Sequence, residues 1–379
     1  MSSQTHFLHV FSTFAPAGPE LRAAGIMLAL GKGYRHTVVS CSGRTETAEV
    51  IGDQADLRLL EVSPKSGPLG MARALRKVLR AQQPDLLLSY NWGAMDAAFA
   101  AKAEGFRHHV HHEDGFNADE ASQLKARRNW ARRLTLGAAE VVVPSRRLLG
   151  IAQSTWKLPK VTLIPNGVHV ARFAHDPAVR ERFRAAHGIP SQALVVGTVA
   201  HLRPVKRLDR LIRACAALET GALGGQPVFL VMVGDGEQAA ELRALAQSAA
   251  PPGGHVIFPG HLSDPAQAYS AFDVLALSSA SEQQPVSVLE AMAAGLPIVS
   301  TDVGDVALTV PAECREDLVS IDQEEEAIVA GLAAGLTRVL ADGTLRAELG
   351  QAGWRQVSER YSFRAMLEAY QAVFARAMQ

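Results

Sequence analysis

Short apolar runs of strand length alternate with longer stretches of helical period along the whole chain. The first half carries strand-like runs at 7–14, 36–40, 85–90, 107–111, 140–143 and 161–164, separated by stretches such as 20–30, 69–81 and 94–103 that read as helices. The second half repeats the plan, with buried strands predicted at 194–200, 228–233, 255–258, 274–277 and 297–300, each followed by a helical stretch. Apolar strands separated by helices are the pattern of parallel sheets covered on both faces. The reading is therefore α/β, with two doubly wound parallel-sheet domains, and 379 residues suffice for two separate cores. The turn tripeptide Pro165-Asn166-Gly167 and the polar stretch to Pro177 mark the hinge. A first domain is thus expected at 1–172 and a second at 173–362, with the C-terminal helix, 363–379, crossing back to the first. Such sheets bind ligands outside the carboxyl ends of their strands, so the two are expected to face each other across a cleft that holds the chemistry.

Composition changes this picture in one respect. Lys+Arg and Asp+Glu are both 38, yet residues 1–175 hold 22 basic against 14 acidic side chains, and the remainder holds 16 against 24. A zero net charge hides a basic first half and an acidic second half. The content of 48% hydrophobic residues excludes a disordered chain. Cys41, Cys215 and Cys314 lie far apart without Cys-x-x-Cys spacing, which argues against a disulfide framework or zinc knuckle and for a reducing, cytoplasmic setting. No secretory leader and no apolar run of 18 residues is visible.

The densest chemical signal is residues 279–297, SASEQQPVSVLEAMAAGLP. A strand ends at Ser278, the loop carries Glu282, Pro285 precedes a helix start, and Glu290 lies on that helix. The helix start offers backbone N–H groups at Ser287 and Val288, a site suited to a diphosphate. Glu290 can accept hydrogen bonds from ribose hydroxyls, and Glu282 can reach a sugar ring. On spacing alone, both glutamates read equally well as a solvated loop charge and a helix-dipole charge.

The Glu-x7-Glu spacing followed by Ala-Met-Ala-x-Gly-x-Pro resembles the signature of retaining GT-B glycosyltransferases of family 4 (group 1). Three more segments resemble that family in order: Ile164-Pro165-Asn166-Gly167, Val195 to Lys206, and Gly234-Asp235-Gly236. The resemblance implies a GT-B fold of two Rossmann-like domains and a nucleotide-diphosphate sugar as donor. By position, Glu282 would contact the donor sugar and Glu290 the ribose. Lys206 would meet the diphosphate as a point charge. The family's usual Arg is His201 here, so Arg203 or a protonated His201 is expected to supply the missing contact.

The run His108-His109-Val110-His111-His112-Glu113-Asp114 invites a metal reading, but strand alternation points His108 and His112 one way and His109 and His111 the other. In the resembled family a His at this strand end lies under the reacting sugar. His111 fits best and His112 is the reserve, while Asp114 stands where relatives often have His. The loop at Gly18 corresponds to a Gly-Gly turn where backbone approaches the diphosphate. With no Asp-x-Asp motif, no cofactor and no metal are expected.

Residues 125–133 hold five basic side chains, with Leu124, Trp130 and Leu134 available for an apolar side. Such a helix can lie on an anionic membrane or pack as an ordinary solvated helix. No aromatic-rich platform accompanies the charge, which disfavours nucleic acid. The expected function is retaining transfer of a sugar from a UDP- or GDP-linked donor to a saccharide or lipid-linked acceptor in envelope or exopolysaccharide synthesis. The expected setting is cytoplasmic, either free or peripheral on the inner face of the plasma membrane. The alternatives are a same-fold epimerase or hydrolase and a non-catalytic nucleotide-sugar-binding protein.

Overall fold

The computed structural model describes residues 4–62, 69–116, 125–219 and 221–379. The chain divides into two compact units, one of residues 1–165 with 366–379 and one of 166–365. The first unit runs β1 (Thr5–Phe11), α1 (Gly18–Leu30), β2 (Tyr34–Ser40), α2 (Ala48–Ile51), β3 (Asp56–Leu59), α3 (Gly70–Gln82), β4 (Leu86–Tyr90), α4 (Met95–Glu104), β5 (His109–His112), α5 (Ala126–Thr135), β6 (Glu140–Val143), α6 (Arg146–Ser154) and β7 (Val161–Leu163). Among the described residues the strands form one parallel sheet in the order β3-β2-β1-β4-β5-β6-β7.

The second unit continues with α7 (Pro177–Ala186), β8 (Leu194–Val199), α8 (Leu208–Ala216), β9 (Val228–Val233), α9 (Ala239–Ser248), β10 (Val256–Gly260), α10 (Ala266–Ala271), β11 (Val274–Leu277), α11 (Val286–Ala293), β12 (Ile298–Asp302), α12 (Val306–Thr309), β13 (Leu318–Ser320), α13 (Glu325–Ala341) and α14 (Gly343–Arg360). Its parallel sheet has the order β10-β9-β8-β11-β12-β13. The last helix, α15 (Phe363–Ala377), begins in the second unit and ends in the first.

The central strands form because β-branched and aliphatic residues fill both faces of an interior strand. Phe7, Leu8, Val10 and Phe11 of β1 are all buried; Leu8 and Val10 join the cluster with Leu75, Leu79 and Leu87, whereas Phe7 meets Phe374 of α15 edge-on at 5.5 Å. That aromatic contact, with Arg376 pairing with Glu140 at 2.9 Å, holds the C-terminal helix on the first unit. In the second unit Val195, Val196, Leu230, Val231 and Leu275 lie in one continuous core with Leu289 and Met292 of α11.

Two expectations change. The seam lies between Pro165 and Asn166, inside the expected hinge tripeptide but ahead of the expected boundary at residue 172. The Asn166 amide donates to Gln284 Oε1 at 2.6 Å and Phe173 packs edge-on against Tyr269 at 5.5 Å, so the hinge residues belong with the second sheet. Strands β3 and β13 were not foreseen. Both are short edge strands, and half-exposed sequences such as Asp56-Leu57-Arg58-Leu59 carry no long apolar run to mark them.

Candidate functional site

In the second sheet the strand order reverses between β8 and β11, and the loops leaving those strands meet there. The Pro204–Lys206 turn is tied to the β11 loop at three points. Ser278 Oγ donates to the carbonyls of Lys206 and Arg207 at 3.0 and 2.8 Å, and the Ala280 amide donates to the Val205 carbonyl at 2.8 Å. These ties bring Lys206 Nζ to 2.5 Å from Glu282 Oε1, the oxygen that also accepts from Ser279 Oγ at 2.7 Å. The pair is only partly open, at 24% and 12% side-chain exposure, so solvent screens it incompletely. Together with Thr198, Ser279 and Ser287 it lines a pocket of about 10 Å³, room for about one water.

Glycines allow the backbones around this point to touch. A Cβ on Gly304, which has φ +59°, would lie 2.4 Å from the Gln283 carbonyl oxygen and 2.5 Å from that of Glu282. The β12 turn therefore presses directly on the loop that presents Glu282. A Cβ on Gly234 would lie 1.9 Å from the Ala200 carbonyl, so the Gly234-Asp235-Gly236 turn packs against the β8 loop. In that loop His201 is exposed, and its Nδ1 donates to the Asp235 carbonyl at 3.0 Å, which leaves Nε2 facing outward. Arg203 is exposed with no side-chain partner among the described residues.

Helix α11 starts where expected, but the Val288 amide donates to the Pro285 carbonyl at 3.2 Å and Val288 is fully buried. This corrects the expectation of two open amides: the first turn closes on itself at Val288, and Ser287, which lines the pocket, is the residue left to offer one. Glu290, one turn further in, accepts from Tyr269 Oη at 2.6 Å. Burial pushes the Glu290 carboxyl up to about 7, against the opposing hydrogen bond from Tyr269.

In the first sheet the order reverses between β1 and β4. A Cβ on Gly93 would lie 2.3 Å from Ser12 Cβ, so the two loops there are in contact. Asn91, at φ +59° and ψ 179°, holds a backbone conformation that costs on the order of 1–3 kcal/mol. Its amide donates to the His112 carbonyl and its Oδ1 accepts from the Asp114 amide, both at 2.7 Å. Asp114 in turn pairs with Arg22 at 2.6 Å, joining the end of β5 to α1. Gly18 is exposed at the start of α1, and a Cβ there would meet nothing within 4 Å. Glu20, two residues on, is buried, and desolvation pushes its carboxyl up to about 7 with Asp114 adding to the shift.

His111 and His112 do not sit as expected. The His111 ring is fully buried, with Nδ1 2.8 Å from Ser89 Oγ and Nε2 3.7 Å from Glu113 Oε2, so no atom is open to a sugar in this conformation. His109 shares the same Ser89 hydroxyl at 2.8 Å, as strand alternation requires. His112 is also buried, stacked on Tyr90 at 4.4 Å and beside Tyr370 of α15 at 5.6 Å. The reason is that β5 is an interior strand: Tyr370 covers one face, and on the other Arg132 of α5 pairs with Glu113 at 2.8 Å with both side chains fully buried. The Arg132 guanidinium lies over Trp92, Phe116 and Trp156 at 5.0, 5.7 and 4.7 Å.

Helix α5 is thus basic on its surface without Arg132. Trp130 and Leu134, each 58% exposed, lie on its outer side with Arg127 and Arg133. Leu124 lies outside the described residues. Among the described residues no group of three or more His, Cys, Asp and Glu side chains could hold a metal ion, and no single helix is long and apolar enough to cross a membrane.

Comparison with known proteins accounts for the two units. The family model described as Glycosyl transferases group 1 matches residues 179–356, and that described as Glycosyltransferase Family 4 matches 28–172. The chain belongs to the group 1, family 4 glycosyltransferases. Its fold is GT-B. The D-inositol 3-phosphate glycosyltransferase of Saccharomonospora viridis is 31% identical over 225 residues, 58% of this chain and 50% of the relative. The GDP-mannose-dependent alpha-mannosyltransferase of Mycobacterium tuberculosis is 32% identical over 252 residues, 62% of this chain and 61% of the relative. The chain thus spans about half to three-fifths of these curated relatives. Among solved structures, Anabaena HepE in complex with UDP and glucose superposes with a TM-score of 0.80 at 19% identity, covering 98% of this chain and 100% of that one.

Sequence reasoning missed Tyr269, the Arg22–Asp114 pair, Glu20 and the Arg132–Glu113 pair. Glu20 could have been found, since it follows Gly18 at a helix start. Arg22 and Asp114 are 92 positions apart, and only the sheet order brings them together.

Proposed function

We propose that this glycosyltransferase moves a sugar, with retention, from a UDP- or GDP-linked donor to a saccharide or lipid-linked acceptor in envelope or exopolysaccharide synthesis. The observation that carries the reading is the Lys206–Glu282 pair at the switch point of the second sheet. A departing diphosphate gains negative charge as the glycosidic bond breaks, and a preorganised ammonium at a partly desolvated site stabilises that charge most where it develops. Lys206 is such a group, with exposed Arg203 and the outward Nε2 of His201 on the same loop. Glu282, already held by Ser279, accepts hydroxyl hydrogens of the sugar, and Glu290 accepts those of the ribose. The charges of Lys206 and Arg203 take the place of a metal ion, so chelator leaves transfer intact. A GDP-mannose-dependent mannosyltransferase among the relatives and UDP bound in HepE among the solved structures support the donor class.

The acceptor side belongs to the first unit in this reading, around the end of β5, where His111 and His112 act by supporting the loop above them. Trp130 and Leu134 among arginines suit the anionic inner face of a plasma membrane, each surface cation contributing on the order of 1 kcal/mol. The test is incubation with labelled UDP- and GDP-sugars, with and without a membrane lipid extract. Acceptor-dependent transfer is expected. Turnover without acceptor would make the protein a hydrolase or epimerase, and binding without turnover would make it a sugar-nucleotide-binding protein. Glu282→Ala should abolish transfer while nucleotide affinity largely survives; wild-type rates in that variant would overturn the assignment.

A further inference from the structure

We infer that Tyr269 is a positioning residue for nucleotide binding: its hydroxyl holds Glu290 Oε2 so that the carboxylate presents Oε1 to the ribose hydroxyls. The inference rests on the reading of Glu290 as the ribose acceptor and adds a residue to it. Tyr269 is fully buried on α10, its ring set edge-on between Phe173 at 5.5 Å and Phe272 at 5.7 Å, so the position of its Oη is fixed by packing. That Oη lies 2.6 Å from Glu290 Oε2 and 3.4 Å from the Ser287 carbonyl oxygen. A phenol at 2.6 Å from a carboxylate donates a short, charge-assisted hydrogen bond. One carboxylate oxygen is thereby engaged and the rotation of the group about its last bond is arrested.

The same contact decides the charge of Glu290. Burial favours the neutral acid, which accepts ribose hydroxyls more weakly than a carboxylate does, and the Tyr269 hydrogen bond is the largest influence in the opposite direction. The other groups that act on it are Arg172, from the 3-10 turn Val170–Phe173, which favours the carboxylate, and Asp264, ahead of α10, which opposes it. Those two pair with each other at 2.9 Å, so their effects on Glu290 partly cancel. Tyr269 is the group positioned to keep an accepting carboxylate at neutral pH inside an apolar wall.

The test uses the full chain, with UDP and GDP titrated calorimetrically from pH 6 to 8.5 against wild type, Tyr269→Phe, Glu290→Gln and the double variant. Wild-type affinity should weaken as pH falls through about 7, where Glu290 takes up its proton. Tyr269→Phe keeps the ring and removes only the hydroxyl, so the midpoint of that limb should move to higher pH. At pH 7 the affinity should drop roughly five- to tenfold, and raising the pH should restore most of it. A merely structural role would not be rescued by pH. The double variant should bind no more weakly than Glu290→Gln alone, because both changes act through one contact; additive losses would overturn the inference, as would a Tyr269→Phe limb that superimposes on wild type. If Glu290→Gln leaves UDP and GDP binding unchanged, or wild type binds neither, the reading of the second unit's site fails as well, which separates the two failures.

Discussion

The Glu282 loop is held from outside by Gly304, and exchanging that glycine for alanine tests whether the contact sets the geometry of the site. Two glycines make a matched pair. Gly304 at φ +59° and Gly295 at φ +71° both occupy the left-handed region, so an alanine at either pays the same local penalty, roughly 1–2 kcal/mol. They differ in surroundings: a Cβ at 295 meets nothing within 4 Å, whereas one at 304 would lie 2.4 and 2.5 Å from two backbone oxygens. Contacts that close cannot be absorbed by a side-chain rotation, and overpacking of this kind adds about 1–3 kcal/mol. Gly295→Ala should therefore lose about 1–2 kcal/mol in urea denaturation with donor turnover unchanged within about twofold. Gly304→Ala should lose about 2–5 kcal/mol. Because the relief available is a shift of the Glu282 and Gln283 backbone, its kcat should also fall by at least about tenfold; a displacement near 1 Å can cost on the order of a hundredfold. If the two variants unfold at the same urea concentration and turn over donor at the same rate, the claim that the β12 turn positions Glu282 is refuted.

Removing Lys206 as Lys206→Met should cut kcat on the labelled donor about 10²–10³-fold, the loss expected for one preorganised electrostatic donor, and a change under about threefold would count against its role. Arg132→Met should destabilise the first unit by about 3–5 kcal/mol in chemical denaturation, since fully buried Glu113 loses its guanidinium partner; Arg132→Met with Glu113→Leu should recover most of that loss, and equal losses would show that the pair is not the source. Glu20 and Glu290 each hold a proton up to about 7 in the folded protein and release it near 4.5 when unfolded. The native state then binds more protons than the unfolded state between those values, so stability should fall as pH rises from 4.5 to 7, and the slope measured by thermal or urea unfolding should flatten in Glu20→Gln.

The alternation of apolar runs and helical stretches was enough to predict both parallel sheets, and the interior strands were legible because burial on two faces demands continuous Val, Leu and Ile. The edge strands β3 and β13 were not, because they are short and partly exposed and carry no continuous apolar run. The chemistry divided in the same way. Lys206, Glu282 and Glu290 could be singled out through the family resemblance because they stand in short local motifs, on two loops and one helix start. Their partners could not, since Ser278 joins Lys206 across 72 positions and Tyr269 joins Glu290 from another helix. His111 shows the reverse: its place at a strand end was read correctly as a position, but its burial was decided by α5, whose arginine turns inward to a carboxylate rather than outward to water.

The sequence by itself determined which segments become strands and helices and which residue types crowd the strand ends, because periodicity and local motifs are properties of neighbours along the chain. Only the tertiary structure decided which of those residues are open, paired or protonated. Burial, desolvation and close backbone approach depend on what packs from distant segments, and a linear pattern carries no distances between them.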